Sequence, residues 1–345
     1  MPTFLKNNWY VAAWADEIVQ SLASTRVLGE KICLFRNSNN QAIAFEDFCP
    51  HRRLPLSMGR LHGDLLECGY HGLTFDSSGN CVAAPTNDKV IPEGACVKTY
   101  PLVERYGLLW IWMGDPGKAD ASQIFEVEHF DDNAWGYNRG QAIDVACNYQ
   151  YINDNLLDPS HVAWVHHSSF GEANTRDTPL KTTILDNGVV VTRWMLNCDI
   201  APFYQKVVPF KGPCDRLQHY EVRYPSLALI KAVFTPAGKG GADYIAGDDT
   251  FIMDSYNFMT PVDDRNTRYY WFQLRNLEPD NEAISTIMSE GVKSAFEEDR
   301  IILNALQKGI DEKPEGFISL RSDTGGFQFR RRLQQMIDRE NQSAL

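Results

Sequence analysis

The sequence predicts an α+β protein in two parts: a small all-β domain, followed by a larger domain that combines an antiparallel sheet with one long helix. Short β-branched and aromatic runs separated by turn residues indicate the first part. Longer strand-like runs and a late apolar stripe with helical spacing indicate the second. A chain of 345 residues is long enough to build two such cores.

The first third of the chain is predicted to be β-structure because β-branched or aromatic residues are concentrated in short segments. These segments are 26–35, 42–45, 65–70 and 108–112. Turn residues at 37–40, 76–80 and 114–117 separate them. The composition changes across 115–120, so we place the domain boundary just beyond it, giving domains 1–122 and 123–345.

The rest of the chain mixes strands and helices. The predicted antiparallel strands are 189–196, 227–234, 251–259 and 269–274. A long helix is predicted from about Glu282 to Lys308. Asp280 or Asn281 is the expected cap at its start, and Gly309 follows its end.

Composition excludes several classes of protein. A net charge of −12 argues against nucleic-acid binding as the main activity, and 43% hydrophobic and 23% charged residues are ordinary for a globular protein. No apolar run is as long as a membrane span, the first ten residues lack a secretory pattern, and the eight cysteines lack disulfide-framework spacing. These observations predict a cytoplasmic protein. No nucleotide-binding glycine motif is present, so we expect no nucleotide cofactor on this chain.

Two matched half-sites, Cys49-Pro50-His51 and Cys68-Gly69-Tyr70-His71, are the most informative motif. Two Cys and two His suit a structural zinc ion, or a Rieske-type [2Fe–2S] cluster with both Cys on one iron and both His on the other. Zinc fingers usually pair Cys with Cys and His with His, whereas each half-site here is mixed. The pattern therefore favours the cluster over zinc. Ordinary core cysteines and surface histidines are the third interpretation.

The segment 155–167 contains a second group of possible metal ligands. His161 and His166 are about 140° apart on a regular helix, so both face one ion only if the helix is broken. Pro159 favours such a break. Asp158 precedes His161 by three positions, so its carboxylate is expected to orient that imidazole. His167 is expected at the surface.

Asp299 interrupts the apolar stripe of the long helix. The stripe consists of Val292, Ala295, Phe296, Ile302, Leu303 and Leu306. A lone carboxylate in such a stripe requires a cation or a charged partner. Together with His161 and His166, Asp299 makes the 2-His-1-carboxylate set of non-haem Fe(II) oxygenases. An arginine partner for Asp299 is the competing explanation.

These motifs together resemble the Rieske non-haem iron oxygenases, and most of all the oxygenase components of vanillate O-demethylase, dicamba monooxygenase and toluenesulfonate methyl-monooxygenase. The resemblance extends from residues 8–12 to 323–332. It implies an N-terminal Rieske domain and a C-terminal helix-grip catalytic domain. The implied cluster ligands are Cys49, His51, Cys68 and His71, and the implied iron ligands are His161, His166 and Asp299.

The resemblance also implies an assembly and catalytic residues. In such enzymes a homotrimer brings the cluster of one chain next to the iron of its neighbour, and an aspartate links the two. Here that aspartate is Asp158, between His161 of one chain and His71 of the next. Asn155 belongs to the same motif and is expected to take part in catalysis.

The implied reaction is a monooxygenation that uses O2 and electrons from NAD(P)H, delivered by a separate reductase or ferredoxin. The expected substrate is a small aromatic acid, which undergoes O-demethylation of a methoxybenzoate or hydroxylation of a methyl group. Lys231 and Asn257 are candidate substrate contacts, with a solvent-facing edge lysine as the alternative for Lys231. The alternative functions are a ring cis-dihydroxylating dioxygenase, an electron-transfer Rieske protein and a zinc-stapled binding protein.

Overall fold

The computed structural model describes residues 4–343, so the first three and the last two residues lie outside the description. The backbone forms two compact units. Residues up to Glu126, with Thr260–Asp263, belong to the first, and Val127–Met259 with Asp264–Gln342 form the second. The predicted domain boundary between residues 122 and 123 stays a prediction. Among the described residues, no helix is both long enough and apolar enough to cross a membrane.

The first unit consists of small antiparallel sheets, as the sequence predicts. Its strands are β1 (Trp9–Trp14), β2 (Ala23–Val27), β3 (Glu30–Arg36), β4 (Ala42–Glu46), β5 (Arg60–His62), β6 (Leu65–Glu67), β7 (Thr74–Phe75), β8 (Cys81–Ala83), β9 (Leu102–Arg105) and β10 (Leu108–Trp112). They form three sheets in the orders β1-β10-β9, β2-β3-β4 and β5-β6-β7-β8.

Two strand predictions in this unit were wrong in extent. The predicted strand 26–35 is two strands joined by a tight turn, because Leu28 and Gly29 adopt φ values of 50° and 83°. The predicted strand 65–70 ends at Glu67, because the chain turns back at Cys68 to build the second half-site. The prediction for 108–112 is confirmed by β10.

The second unit is built on one eight-stranded antiparallel sheet. Its strands are β11 (Gly136–Arg139), β12 (Ile143–Val145), β13 (Lys181–Leu185), β14 (Gly188–Cys198), β15 (Cys214–Arg223), β16 (Leu227–Pro236), β17 (Phe251–Pro261) and β18 (Thr267–Arg275). The strand order is β11-β18-β17-β16-β15-β14-β13, and β12 also pairs with β18. The helices are α1 (Tyr149–Leu156), α2 (Asn174–Asp177), α3 (Glu282–Glu312) and α4 (Thr324–Ser343).

The long helix α3 begins as predicted but ends later. Oδ1 of Asn281 accepts hydrogen bonds from the backbone N–H groups of Ala283 and Ile284, which confirms the N-cap. The helix continues through Gly309 to Glu312, so the expected stop at Lys308 was wrong. The isolated glycine is tolerated because a single interior glycine costs only about 1 kcal/mol.

One part of the apolar stripe of α3 is buried and another is not. Val292, Ala295 and Leu303 are buried, and the ring of Phe296 packs 5.1 Å from Tyr269 between centroids. In contrast, Ile302 and Leu306 are 47% and 40% exposed. The expectation that the whole stripe is core was therefore wrong for these two residues, which line a surface groove.

Candidate metal centres and active site

The two cysteine–histidine half-sites share a pattern of backbone hydrogen bonds. The N–H of Cys49 donates to the carbonyl of Leu54 at 2.8 Å, and the N–H of Cys68 donates to that of Leu73 at the same distance. In each loop the residue four positions after the cysteine donates back to the cysteine carbonyl. The repeated pattern orients one thiol and one imidazole per loop.

The fourth position after each cysteine requires a left-handed backbone. Arg53 has φ of 59° and Gly72 has φ of 74°. A Cβ at Gly72 would lie 2.8 Å from Cγ of Pro85, so any other residue would be strained at this φ and would have to displace Pro85. The glycine thus lets the second loop pack closely under the Pro85 segment.

The four side chains fit a Rieske-type cluster. Cys49 and Cys68 are each only 2% exposed, whereas His51 is exposed and its ring lies 4.6 Å from that of His71 between centroids. Burial, together with the neighbouring Cys68, raises the pKa of Cys49 to about 11. Two adjacent buried thiols need a metal to stabilise them as thiolates, and two outer imidazoles complete a mixed ligand set.

A break after α1 brings His161 and His166 together, as predicted. The helix ends at Leu156, and a 3-10 turn, His161–Ala163, follows Pro159. One ligand atom from each of His161, His166 and Asp299 lies within 4.8 Å of the others. Oδ1 of Asp299 is 3.2 Å from Nε2 of His166 and 3.7 Å from Nε2 of His161. The groups beside Asp299 are thus imidazoles, and the arginine explanation is not needed.

His161 is oriented by a backbone carbonyl rather than by the carboxylate that the sequence suggested. Its Nδ1 lies 2.5 Å from the carbonyl oxygen of Asp158. The Asp158 carboxylate instead accepts hydrogen bonds from the N–H and the Oγ of Ser160, at 3.0 and 2.5 Å. Burial lowers the pKa of His161, which favours the neutral imidazole that a metal requires.

His166 has a carboxylate at each ring nitrogen. Nδ1 lies 2.6 Å from Oε2 of Glu298, opposite the Asp299 contact at Nε2. Burial alone lowers the pKa of His166, but Asp299 and Glu298 outweigh it and the pKa is raised. The sequence places Glu298 off the apolar stripe, and its role at His166 was missed. The available signal was its position directly before Asp299.

Two further residues support the site. Nδ2 of Asn155 donates to Oδ1 of Asp299 at 3.3 Å, which places Asn155 beside the candidate iron ligands. The buried Arg193 donates from Nη2 to the carbonyl of Pro159 at 3.0 Å and from Nη1 to that of Thr175 at 2.6 Å. Arg193 therefore fixes the loop in which His161 lies.

A cavity of about 80 Å³ is lined by His161, His166 and Asp299. Since roughly 10–15 Å³ is enough for one water, the space accommodates a small molecule. Most of its wall is apolar or aromatic, including Phe170 and Phe296. Such a cavity with few polar groups is typical of a small-molecule site.

The two predicted substrate contacts lie in different places. Asn257 lines the cavity, but its Nδ2 donates to the carbonyl of Ser255 at 2.9 Å and its Oδ1 accepts from Tyr269 at 2.9 Å. On β16, Ile230 lines the cavity and Lys231 points to the opposite face. Nζ of Lys231 lies 3.3 Å from Oδ2 of the buried Asp254. The structure therefore does not bring Lys231 to the cavity.

Family models match both parts of the chain. The model "Rieske [2Fe-2S] domain" matches residues 8–101, and the model "Vanillate O-demethylase oxygenase C-terminal domain" matches residues 145–339. The chain belongs to the Rieske non-haem iron oxygenases. This Rieske oxygenase is the oxygenase component of a monooxygenase, and its cofactors are a [2Fe–2S] cluster and a mononuclear non-haem iron. The zinc interpretation of the first motif is thereby excluded.

Individual relatives cover nearly the whole chain. The Rieske oxygenase is 36% identical to the toluene-4-sulfonate monooxygenase system iron-sulfur subunit TsaM1 of Comamonas testosteroni over 98% of both chains. It is 34% identical to a vanillate O-demethylase oxygenase subunit of a Pseudomonas species over 99% of this chain and 97% of that protein. Its fold matches dicamba monooxygenase bound to 3,6-dichlorosalicylic acid with a TM-score of 0.90 at 25% identity, over 98% and 99% of the two chains.

Proposed function

We propose that this oxygenase hydroxylates a small aromatic acid, either by O-demethylation of a methoxybenzoate or by oxidation of a methyl group. The observation that carries the proposal is the cavity of about 80 Å³, which has His161, His166 and Asp299 in one part of its wall and aromatic rings in the rest. Relatives named for vanillate and for toluene-4-sulfonate support this substrate class. The electrons come from NAD(P)H through a separate reductase or ferredoxin.

We assign the cofactors to the two groups of residues described above. Cys49, His51, Cys68 and His71 hold the [2Fe–2S] cluster, which supplies electrons when bound. His161, His166 and Asp299 would hold the iron, which would supply the chemistry of O2 activation when bound. This chain's own contribution is to orient the ligands, through the Asp158 carbonyl at His161 and Glu298 at His166.

We further propose that Asp158 acts between chains of a homotrimer, linking His161 to His71 of a neighbouring chain. Asp158 lines a groove of about 680 Å³ on the second unit. The same groove is lined by Phe317 and Ile318, which are 66% and 85% exposed. A contiguous exposed apolar surface of this kind is typical of a protein contact. Asn155, whose amide reaches Asp299, lies beside the proposed electron route.

The expected location is the cytoplasm. Within residues 4–343 none of the eight cysteines forms a disulfide, and all except Cys96 are buried. Free cysteines suit a reducing compartment.

A substrate screen tests the proposed reaction. Purified oxygenase with both cofactors is mixed with a surrogate reductase, NADH and a set of methoxybenzoates and methylbenzenesulfonates. We expect oxygen uptake matched by formaldehyde from the methoxy acids, or by a benzylic alcohol from the methyl compounds. A cis-dihydrodiol as the main product would instead assign the enzyme to ring dihydroxylation. Oxygen uptake with no organic product from any compound would refute the proposed substrate class.

A further inference from the structure

Arg216 places a buried guanidinium in the wall of the cavity. The residue lies on β15, is 2% exposed and lines the cavity together with the candidate iron ligands. Among the described residues of that wall, Arg216 is the one basic group that is always charged, because the other two are the imidazoles of His161 and His166. No pattern in the sequence marks this residue.

We propose that Arg216 binds the anionic group of the substrate, a carboxylate or a sulfonate. This inference rests on the proposed function, because it names the residue that would recognise the acid group of an aromatic acid. A guanidinium is suited to the task because it offers paired N–H donors in a rigid plane that matches an oxyanion.

The hydrogen bonds of Arg216 leave one donor of the guanidinium without a partner. Nη1 donates to the carbonyl of Phe170 at 2.9 Å. Nε is buried and has no hydrogen-bond partner within the described part of the chain. Nε is thus a charged donor whose hydrogen bond is not made by the protein, and an oxyanion is the partner that guanidinium donors prefer.

Aromatic rings fix the position of this group. Cζ of Arg216 lies 5.1 Å from the ring centroid of Tyr204 and also 5.1 Å from that of Phe234. These cation–π contacts hold the guanidinium but do not neutralise its charge. A buried cation without a counter-ion is costly, and an incoming anion removes that cost.

Neighbouring carboxylates do not supply the counter-ion of Arg216. Within residues 4–343 no carboxylate forms an ion pair with Arg216, and the acidic group of the same cavity, Asp299, faces His161 and His166. The other buried arginine nearby, Arg193, has its donors engaged by Gln218 and by backbone carbonyls. Arg216 is therefore the group in this cavity that is ready to receive an anion.

Binding measurements test the assignment without turnover. The iron-loaded oxygenase is titrated by calorimetry with 4-methoxybenzoate and toluene-4-sulfonate, and with their neutral amides as controls. We expect each acid to bind at least about 10-fold more tightly than its amide, as charge-assisted hydrogen bonds imply. We expect Arg216→Gln to weaken binding of the acids about 10- to 100-fold and to leave binding of the amides within about threefold.

Two further variants separate recognition from folding. Arg216→Lys keeps the charge without the paired donors, so we expect acid affinities between those of the wild type and Arg216→Gln. Arg176→Gln, which changes an arginine that stacks on Trp164 outside the cavity wall, should leave every affinity unchanged. Equal losses for acids and amides in Arg216→Gln and Arg216→Lys would show that Arg216 is structural and overturn the proposal.

The outcomes also distinguish this inference from the proposed reaction. If the wild type prefers acids and loses that preference in Arg216→Gln, but oxidises none of them, the reaction is wrong and the anion site stands. If the wild type binds amides as tightly as acids, or binds neither, the assignment of Arg216 is overturned whatever the turnover result.

Discussion

Glu298 lies 2.6 Å from Nδ1 of His166, so this imidazole has a carboxylate at each nitrogen. The helix α3 supplies both carboxylates from consecutive residues, Glu298 and Asp299. Asp299 faces the proposed iron position, whereas Glu298 contacts the other nitrogen of the His166 ring and fixes its orientation. The arrangement matches the carboxylate–histidine–metal pattern in which an outer carboxylate sets the tautomer and orientation of a ligand.

We predict that Glu298→Gln weakens iron binding about 10- to 100-fold, the usual effect of removing such an outer carboxylate. Competition with a chelator of known affinity measures this directly, and the cluster absorbance checks that the first unit is intact. Glu297→Gln is the matched control, because Glu297 is the adjacent residue and pairs with Arg300 at the surface. Unchanged iron affinity in Glu298→Gln would contradict the positioning role.

We predict that Asp158→Asn lowers coupled turnover about 100-fold while both cofactors stay bound, because the proposed route between chains loses its carboxylate. Product formation and oxygen uptake are measured together, with iron content and cluster absorbance as checks. Asp154→Asn serves as the control, since Asp154 lines the same groove. Turnover by Asp158→Asn at the wild-type rate would exclude the bridging role.

We predict that a charge in the groove dissociates the proposed trimer. Leu306→Asp places a carboxylate on an exposed apolar position of the groove, where desolvation on contact is unfavourable. Light scattering should show three chain masses for the wild type and one for Leu306→Asp. Ile245→Asp is the control, because Ile245 is 85% exposed and does not line the groove. A wild type that is monomeric at micromolar concentration would contradict the assembly.

We predict that ionisation of Glu30 makes the free energy of unfolding of the first unit depend on pH. Burial alone raises its pKa, but hydrogen bonds from Lys98, Tyr100 and Lys6 lower the pKa of Glu30 to about 2. A lowered folded-state pKa stabilises the protein above the unfolded value of 4.5, and this contribution is lost as the pH falls from 4.5 towards 2.

The full shift corresponds to about 3 kcal/mol, and solvent screening of this half-buried group reduces it. We therefore expect Glu30→Gln to lower the free energy of unfolding by about 2 kcal/mol at pH 7, and the difference from wild type to shrink below pH 4.5. Urea denaturation at several pH values measures both quantities. Glu17→Gln, at an exposed position, should have little effect at any pH. A Glu30→Gln difference that stays constant from pH 7 to pH 3 would show that ionisation is not its source.

Local spacing in the sequence was enough to select the residues that the structure brings together as candidate metal ligands. The Cys49/His51 and Cys68/His71 pairs, the break at Pro159 and the place of Asp299 in a helical stripe each depend on residues close together in the chain. The Asn281 cap is equally local and was confirmed. Chemistry that depends on short-range spacing is visible in a single sequence.

The cavity wall could not be predicted because it depends on the faces of strands that are buried on both sides. On β16 the sequence suggested Lys231, but Ile230 faces the cavity. On β15, Asp215 and Arg216 are consecutive and both buried, so no polar and apolar alternation identifies the inner face. Sheet packing decides which residues of such a strand face the cavity, which is why Arg216 was missed.

The Cys49 and Cys68 loops share a pattern of backbone hydrogen bonds but differ in how much sequence variation they permit. Arg53 shows that the left-handed position of the first loop accepts a side chain, whereas a side chain at Gly72 would collide with Pro85. A library that randomises position 53 should thus yield many proteins that still assemble the cluster, and one that randomises position 72 should yield almost none. Substitutions around the cluster should therefore be tolerated in the Cys49 loop at position 53 but not in the Cys68 loop at position 72.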